Sequence, residues 1–191
     1  MTGLWELDHC QFSRALEHLT DPSVSPTFPD EILLTLIRHP KCDNSLAMAY
    51  FKTVSPPLLN EQALNAYFDV LLCQTSVVEA YRYSQSQPDA KHKALFERLI
   101  VTVHLEPADA ARADRVLCLL GLPFTEEEEE WFEDCLLTGR GAKCPGATDS
   151  VSIRHIATSK ELFAFDRQSG TRINGLNWDD IRSSMQSSAV G

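Results

Sequence analysis

The feature that most constrains the fold is a series of helix-length segments, each with an apolar stripe and each bounded by a proline or a capping residue. Pro29, Asn60 and Ser76 mark the clearest helix starts, because each directly precedes apolar residues at helical spacing. No segment alternates apolar and polar residues with the period of two that a half-buried strand requires. We therefore expect an all-α fold, either an irregular α-helical solenoid or a bundle of about nine to ten helices.

Four segments carry specific predictions. We expect one helix over residues 4–19. We also expect a second helix, whose buried face ends at Leu120. A third helix is expected to begin at a cap on Asp149 or Ser150, and a fourth at Ser159, before a short helical turn at 177–181. The stripes of the first two consist of Trp5, His9, Phe12, Leu16 and Leu19, and of Ala113, Val116, Leu117 and Leu120.

The segment from Thr125 to Gly139 has the pattern of one complete helix. Thr125 is a suitable N-cap, and five glutamates follow it, where free N–H groups and the helix dipole favour negative charge. Because adjacent carboxylates repel one another and are strongly hydrated, we interpret them as a solvated helix start rather than a metal or acid–base site. Gly139 stands where a left-handed C-terminal residue is expected. The residues expected to be buried on this helix are Trp131, Phe132, Cys135 and Leu136.

Charge is unevenly distributed along the 191 residues. Residues 1–139 hold 10 basic and 22 acidic side chains (net −12), whereas residues 140–191 hold 7 and 5 (net +2). An acidic body is repelled by phosphate, so nucleic-acid binding is disfavoured for the folded part. With 43% apolar residues the chain can build a core, but the helical spacing of apolar residues becomes weak beyond position 166. We expect residues 1–166 to form the α-helical domain and 167–191 a weakly structured C-terminal arm.

Cysteine and histidine spacing gives no sign of a metal or disulfide framework. No CxxC, HxxxH or HExxH pattern occurs, so we expect no metal and no cofactor. The thiols are predicted to be buried and reduced, as in the cytosol or nucleus. No run of apolar residues is long enough to span a membrane and no signal peptide is evident, so we expect neither secretion nor membrane insertion. The cysteines are Cys10, Cys42, Cys73, Cys118, Cys135 and Cys144.

Polar residues do not indicate a catalytic site. Cys144 and His155 could form a nucleophile pair, but the thiol stands in a Gly- and Pro-rich loop without a supporting frame. Gly139-Arg140-Gly141 is too short for a phosphate loop. Tyr81-Arg82-Tyr83 could stack on bases, yet alternating helical positions favour one core and one surface side chain. We expect no enzyme; the alternative, a hydrolase or transferase of unrecognised type, would need a pocket gathering His, Cys and carboxylates.

Eight short sequence blocks, spread over about residues 19–158, together form a recognisable set. They are LTDPS at 19–23, PTFPDEIL at 26–33, DNSLA at 43–47 with Tyr50, TVSPPL at 53–58, SVVEAY at 76–81, SQPDA at 86–90, LPFTEEEEEWFE at 122–133 and IAT at 156–158. As a set they resemble the ELYS-like domain of fungal nuclear pore proteins. The likeness fades after Thr158.

The resemblance implies an α-helical scaffold nucleoporin, not an enzyme, that joins the Y-shaped subcomplex of the nuclear pore complex. It places the chain in the nucleus, at the nuclear envelope, in a structural role in nucleocytoplasmic transport. The animal relative also carries a β-propeller and a basic tail with AT-hooks, and neither pattern is present here, so chromatin recruitment is not implied. The expected partners are scaffold nucleoporins, with no small-molecule substrate.

The C-terminal arm contains the apolar residues that we select as partner-binding candidates. Ile173, Leu176 and Trp178 would gain nothing from exposure to solvent on a free tail, because apolar side chains stabilise only when they are buried. We therefore predict that they anchor a docking arm. The alternative function is a chromatin or nucleic-acid adaptor that acts through the less acidic C-terminal region, and salt-dependent retention on DNA would favour it.

Overall fold

A computed structural model of the chain describes residues 2–21, 28–40, 42–107, 110–158, 172–173 and 176–177. The described residues form ten helices and one pair of two-residue strands. The helices are α1 (Thr2–Asp8), α2 (Phe12–Leu19), α3 (Pro29–Arg38), α4 (Asn44–Val54), α5 (Glu61–Gln74), α6 (Val77–Gln85), α7 (Asp89–Leu105), α8 (Ala110–Leu120), α9 (Glu126–Leu137) and α10 (Ala147–Ala157). Strands β1 (Arg172–Ile173) and β2 (Leu176–Asn177) pair antiparallel. The predicted all-α class is confirmed.

The chain divides into two compact units, Met1–Leu95 (unit 1) and Phe96–Gly191 (unit 2), and the division falls within α7. The predicted domain boundary at position 166 lies outside the described residues and stays a prediction. None of the helices in the described part of the chain has both the length and the apolar character needed to cross a bilayer.

Unit 1 is built on α3, which packs against α4 and α5, while α1 packs against α2. Its core contains fully buried side chains from three successive helices, including Leu33, Tyr50 and Phe68. Beside this core the rings of Phe51 and Tyr67 stack with their centroids 3.9 Å apart. Burial of large apolar and aromatic side chains is the main stabilising contribution here.

Local chemistry sets the helix ends in unit 1. The side chains of Asp43, Asn60 and Ser76 accept hydrogen bonds from backbone N–H groups of the first turns that follow them, and the helix starts at Asn60 and Ser76 are those that the sequence predicts. Pro29 occupies the start of α3, where its missing N–H costs nothing. Helix α4 ends at Ser55, whose φ of 46° is left-handed and cannot continue the helix.

The prediction of one helix over residues 4–19 is wrong. Cys10 has a left-handed φ of 58°, and the chain breaks there into α1 and α2. The turn is held by the Gln11 N–H, which donates to the Glu6 carbonyl over 2.9 Å. Because the break changes the direction of the stripe, Phe12 and Leu19 are buried while Trp5 is exposed and stacks on His9.

Unit 2 buries Phe96, Ile100, Leu119 and Phe132, and α10 packs against α8 and α9. The predicted buried face of α8 is only partly correct: Leu120 is buried, whereas Ala113 and Leu117 are exposed. Helix α10 contacts the C-terminal end of α8, where Arg154 donates to the Leu120 carbonyl. The buried residues of α8 are therefore concentrated at that end.

Two predicted helix ends in unit 2 are also corrected. Helix α10 begins at Ala147, after Gly146 with φ 75°, and not at a cap on Asp149 or Ser150. Gly139 is not left-handed; a Cβ at this position would lie 3.0 Å from the Cys135 Cα, so a side chain here would require the backbone of α9 to shift by a few tenths of an ångström. The predicted helix at Ser159 lies outside the described residues, and Asn177, assigned to a helical turn, lies in β2.

All six cysteines are free, but the prediction that they are buried holds only for Cys135 and Cys144. The exposed thiols are Cys10, Cys73 and Cys118, and Cys42 is half-buried. Cys118 is exposed because its side of α8 is not covered, and Cys10 because it forms the turn between two helices.

Candidate interaction site

The structure describes only the backbone around the predicted docking residues. Ile173 and Leu176 lie directly opposite each other in the antiparallel pair of β1 and β2. Trp178 lies outside the described residues. The first two are therefore brought together on one short hairpin, and the assignment of all three to a partner stays a prediction.

The glutamates at the start of α9 are not all solvated. Thr125 and Glu128 form a complete capping box: the Thr125 N–H donates to Glu128 Oε2 over 2.7 Å, and the Glu128 N–H donates to Thr125 Oγ1 over 3.2 Å. Glu128 and Glu129 are buried, so the prediction of hydration is wrong for both. It is correct for the exposed residues Glu126, Glu127 and Glu130.

Glu129 is buried because Arg154 of α10 neutralises its charge. The guanidinium Nη2 donates to Glu129 Oε1 over 2.7 Å, and Nε lies 3.3 Å from Oε2. Nη1 donates to the carbonyls of Leu120 and Leu122, the latter over 2.7 Å. The guanidinium also lies 4.2 Å from the Phe124 ring centroid, a cation–π distance. One side chain thus joins α10, α9 and the loop that precedes α9.

Sequence reasoning missed this arrangement, although two signals for it exist. Glu129 is on the same helix as the buried Phe132 and Leu136, at positions i, i+3 and i+7, and therefore faces inward. Arg154 likewise lies among apolar residues of α10. A buried charge requires a partner, but the sequence does not reveal which one.

His104 forms a second polar contact inside unit 2. Its Nδ1 lies 2.8 Å from the Ile100 carbonyl and its Nε2 lies 2.9 Å from Ser150 Oγ. Because a carbonyl only accepts, Nδ1 carries the proton, and in the neutral ring Nε2 accepts from the serine hydroxyl. Burial lowers the pKa of His104, with a smaller lowering contribution from the charge of Arg112. The neutral ring links α7 to α10.

The Cys144 and His155 pair is not assembled as a nucleophile and base. His155 Nε2 contacts Glu133 Oε1 on α9 and so forms an ion pair when protonated. Burial raises the pKa of the Cys144 thiol and raises that of Cys135 to about 11. A reactive thiol needs the opposite shift. In the described residues no group of three or more His, Cys, Asp or Glu side chains could hold a metal ion.

The triplet Tyr81-Arg82-Tyr83 divides between core and surface, as expected. Tyr81 is buried and Arg82 is exposed. Tyr83 contacts the rings of Phe51, Tyr67 and Phe68, and burial raises its pKa to about 12. Its ring is thus part of the unit 1 core and is not a platform for stacking bases.

The surface features that suit protein binding are exposed large apolar side chains, since such groups gain most from burial against a partner. Unit 1 exposes Trp5, Phe28 and Leu59, and unit 2 exposes Leu105, Leu117 and Leu137. These side chains, rather than a catalytic cluster, are the candidate functional features of the described residues.

Comparison with known proteins gives a consistent result. The family model ELYS, described as nuclear pore complex assembly, matches residues 1–139, which extend from α1 through α9. A fission yeast protein from Schizosaccharomyces pombe, named "Uncharacterized protein ely5", is 31% identical over 130 residues. The match covers 68% of this chain and 41% of that relative, so the chain aligns with less than half of the relative's length. No solved structure matches the chain.

Proposed function

The chain belongs to the ELYS family of nuclear pore complex assembly, and from this premise we propose that it is a structural, α-helical scaffold nucleoporin that binds the Y-shaped nucleoporin subcomplex. The observation that carries the proposal is the family match over residues 1–139, which covers nine of the ten helices in the described part of the chain. The proposed location is the nuclear pore complex at the nuclear envelope. The family description, nuclear pore complex assembly, supports other nucleoporins as the proposed partners.

The proposed mechanism is association without chemistry. Capped helices and buried aromatic residues give units that present fixed surfaces, and preorganised surfaces lose little entropy on binding. Exposed large apolar side chains would supply most of the affinity, as in other interfaces where a few anchors dominate.

Affinity purification of the tagged chain from nuclear extract tests this function. We expect the Y-subcomplex nucleoporins to be enriched over a tag-only control, and a fluorescent fusion to mark the nuclear rim. Recovery should survive nuclease treatment, because the acidic body does not require nucleic acid as a bridge. Loss of the nucleoporins after nuclease, with salt-dependent retention on DNA, would instead support the adaptor function.

A further inference from the structure

Phe28 and Leu59 are exposed near each other on unit 1. Phe28 directly precedes α3 and is 53% exposed, and Leu59 lies two residues before α5 and is 80% exposed. The Asn60 N–H donates to Asp30 Oδ2 over 3.0 Å and so ties the two helix starts together. Chain geometry then limits the separation of the Phe28 and Leu59 Cα atoms to roughly 15 Å. We call these two residues with Asp30, Glu31 and Glu61 the Phe28–Leu59 surface.

Neither apolar side chain serves the fold at its position. Phe28 occupies the N-cap of α3 and makes no side-chain cap, whereas Ser, Thr, Asp or Asn there would stabilise the start of the helix. The side chains of Ile32 and Leu33 in α3 are buried in the core instead. Next to Leu59, Leu58 is buried, so the connecting loop already has its anchor. The exposed pair is free to contact a partner.

The charge around this pair is negative. Glu31 and Glu61 are exposed and Asp30 is half-buried. In the described part of the chain Asp30 Oδ1 accepts no hydrogen bond, and the hydroxyl of the buried Tyr50 has none either. The Lys91 ammonium donates to the Leu58 carbonyl over 3.2 Å on the same loop. The exposed carboxylates of Glu31 and Glu61 favour a positively charged partner.

We propose that the Phe28–Leu59 surface binds a scaffold nucleoporin through a segment that combines a large apolar side chain with Lys or Arg. The apolar group would cover Phe28 and Leu59, and the basic group would lie over Glu31 and Glu61. This inference rests on the proposed function, because that function supplies the class of partner. It adds the surface and the chemistry of the bound segment.

The test uses the full chain with two surface variants, Leu59→Glu and Phe28→Glu. Each is expected to reduce recovery of the Y-subcomplex nucleoporins from nuclear extract about tenfold or more, the effect of losing an interface anchor. The matched control is Ala111→Glu, since Ala111 is exposed, is not a large apolar side chain and lies in unit 2. It should bind as the parent does. Because the altered side chains are exposed, circular dichroism and the melting temperature should match those of the parent.

A charge-reversal pair tests the basic part of the segment. Glu31→Lys with Glu61→Lys should lower recovery and reduce its dependence on salt. The same reversal at the exposed Glu126 and Glu127 should have little effect. Recovery equal to that of the parent in Leu59→Glu and Phe28→Glu, or an equal loss in Ala111→Glu, would overturn the inference alone. If the parent recovers no scaffold nucleoporin, the proposed function fails and the inference fails with it.

Discussion

Arg154 and Glu129 form a buried ion pair with a guanidinium Nη2 to carboxylate Oε1 distance of 2.7 Å. The residues are 25 positions apart, and the same guanidinium also binds the Leu122 carbonyl, 32 positions away. The pair therefore fixes tertiary structure and not a single helix. Its energetic consequence depends on whether one partner or both are removed.

Replacing Arg154 by Met should destabilise the protein by about 3–5 kcal/mol, because Glu129 would remain buried without a partner. Denaturant unfolding measures the loss. The control Arg140→Met alters an exposed arginine and should change stability by less than about 0.5 kcal/mol. The double variant Arg154→Met with Glu129→Leu should lose less than the sum of the single changes. Simple additivity would contradict the coupling.

The contribution of His104 to the stability of the protein should fall as the pH is lowered below about 6.5. The pKa of His104 is 6.5 in the unfolded reference and lower in the fold, so the unfolded state binds the proton first. The contribution of the neutral ring is present above 6.5 and is lost as the pH falls through the lower, folded-state value. Melting temperatures between pH 7.5 and 5 should decline less steeply in His104→Gln than in the parent.

Replacing Tyr50 by Phe should be neutral or slightly stabilising, within about 1 kcal/mol. Within the described residues its buried hydroxyl has no hydrogen-bond partner, and burial together with the charge of Asp30 raises its pKa to about 12. Removing an unsatisfied buried polar group costs little. Tyr81→Phe is the comparison, because its hydroxyl accepts from Gln85 Nε2 over 2.8 Å and its loss should destabilise by about 0.5–1.5 kcal/mol. A larger loss in Tyr50→Phe than in Tyr81→Phe would show that the Tyr50 hydroxyl is hydrogen-bonded in solution.

The two aromatic residues of α9 should respond differently to truncation. Phe132 is fully buried, and its ring centroid lies 5.5 Å from that of Phe124. Phe132→Ala should therefore lower the free energy of unfolding by about 3–5 kcal/mol. Trp131 is only half-buried, contrary to the sequence prediction of burial, and Trp131→Ala should cost less. Thermal unfolding of both variants decides the order. Equal losses would mean that Trp131 is as firmly packed as its neighbour.

Sequence reasoning succeeded at helix starts with a capping side chain and failed at tertiary pairs and at left-handed turns. The caps at Asp43, Asn60 and Thr125 are recognisable because the capping side chain and its backbone donor lie within three residues. The Arg154–Glu129 pair joins distant positions, and no periodicity encodes such a choice. Likewise, nothing in the residue type of Cys10 announces the left-handed φ that separates α1 from α2.

The candidate site shows the same limit. An apolar residue at helical spacing predicts burial, but Leu117 is exposed because coverage depends on which helix arrives nearby. Leu59 lies outside any helix, so periodicity says nothing about it. Exposure of these side chains becomes visible only after the helices are packed.

Truncation after Thr158 should leave the helical body folded and weaken its association with scaffold nucleoporins. All ten described helices end before this position, and Arg154 with its contacts is retained, so the melting temperature should change little. Removal of Ile173, Leu176 and Trp178 takes away the apolar groups predicted to dock. Quantitative pull-down of the truncated and full chains from the same nuclear extract measures the effect, and Leu59→Glu in each background shows whether arm and body contribute separately. Equal recovery of nucleoporins by both chains would place the binding site on the helical body alone.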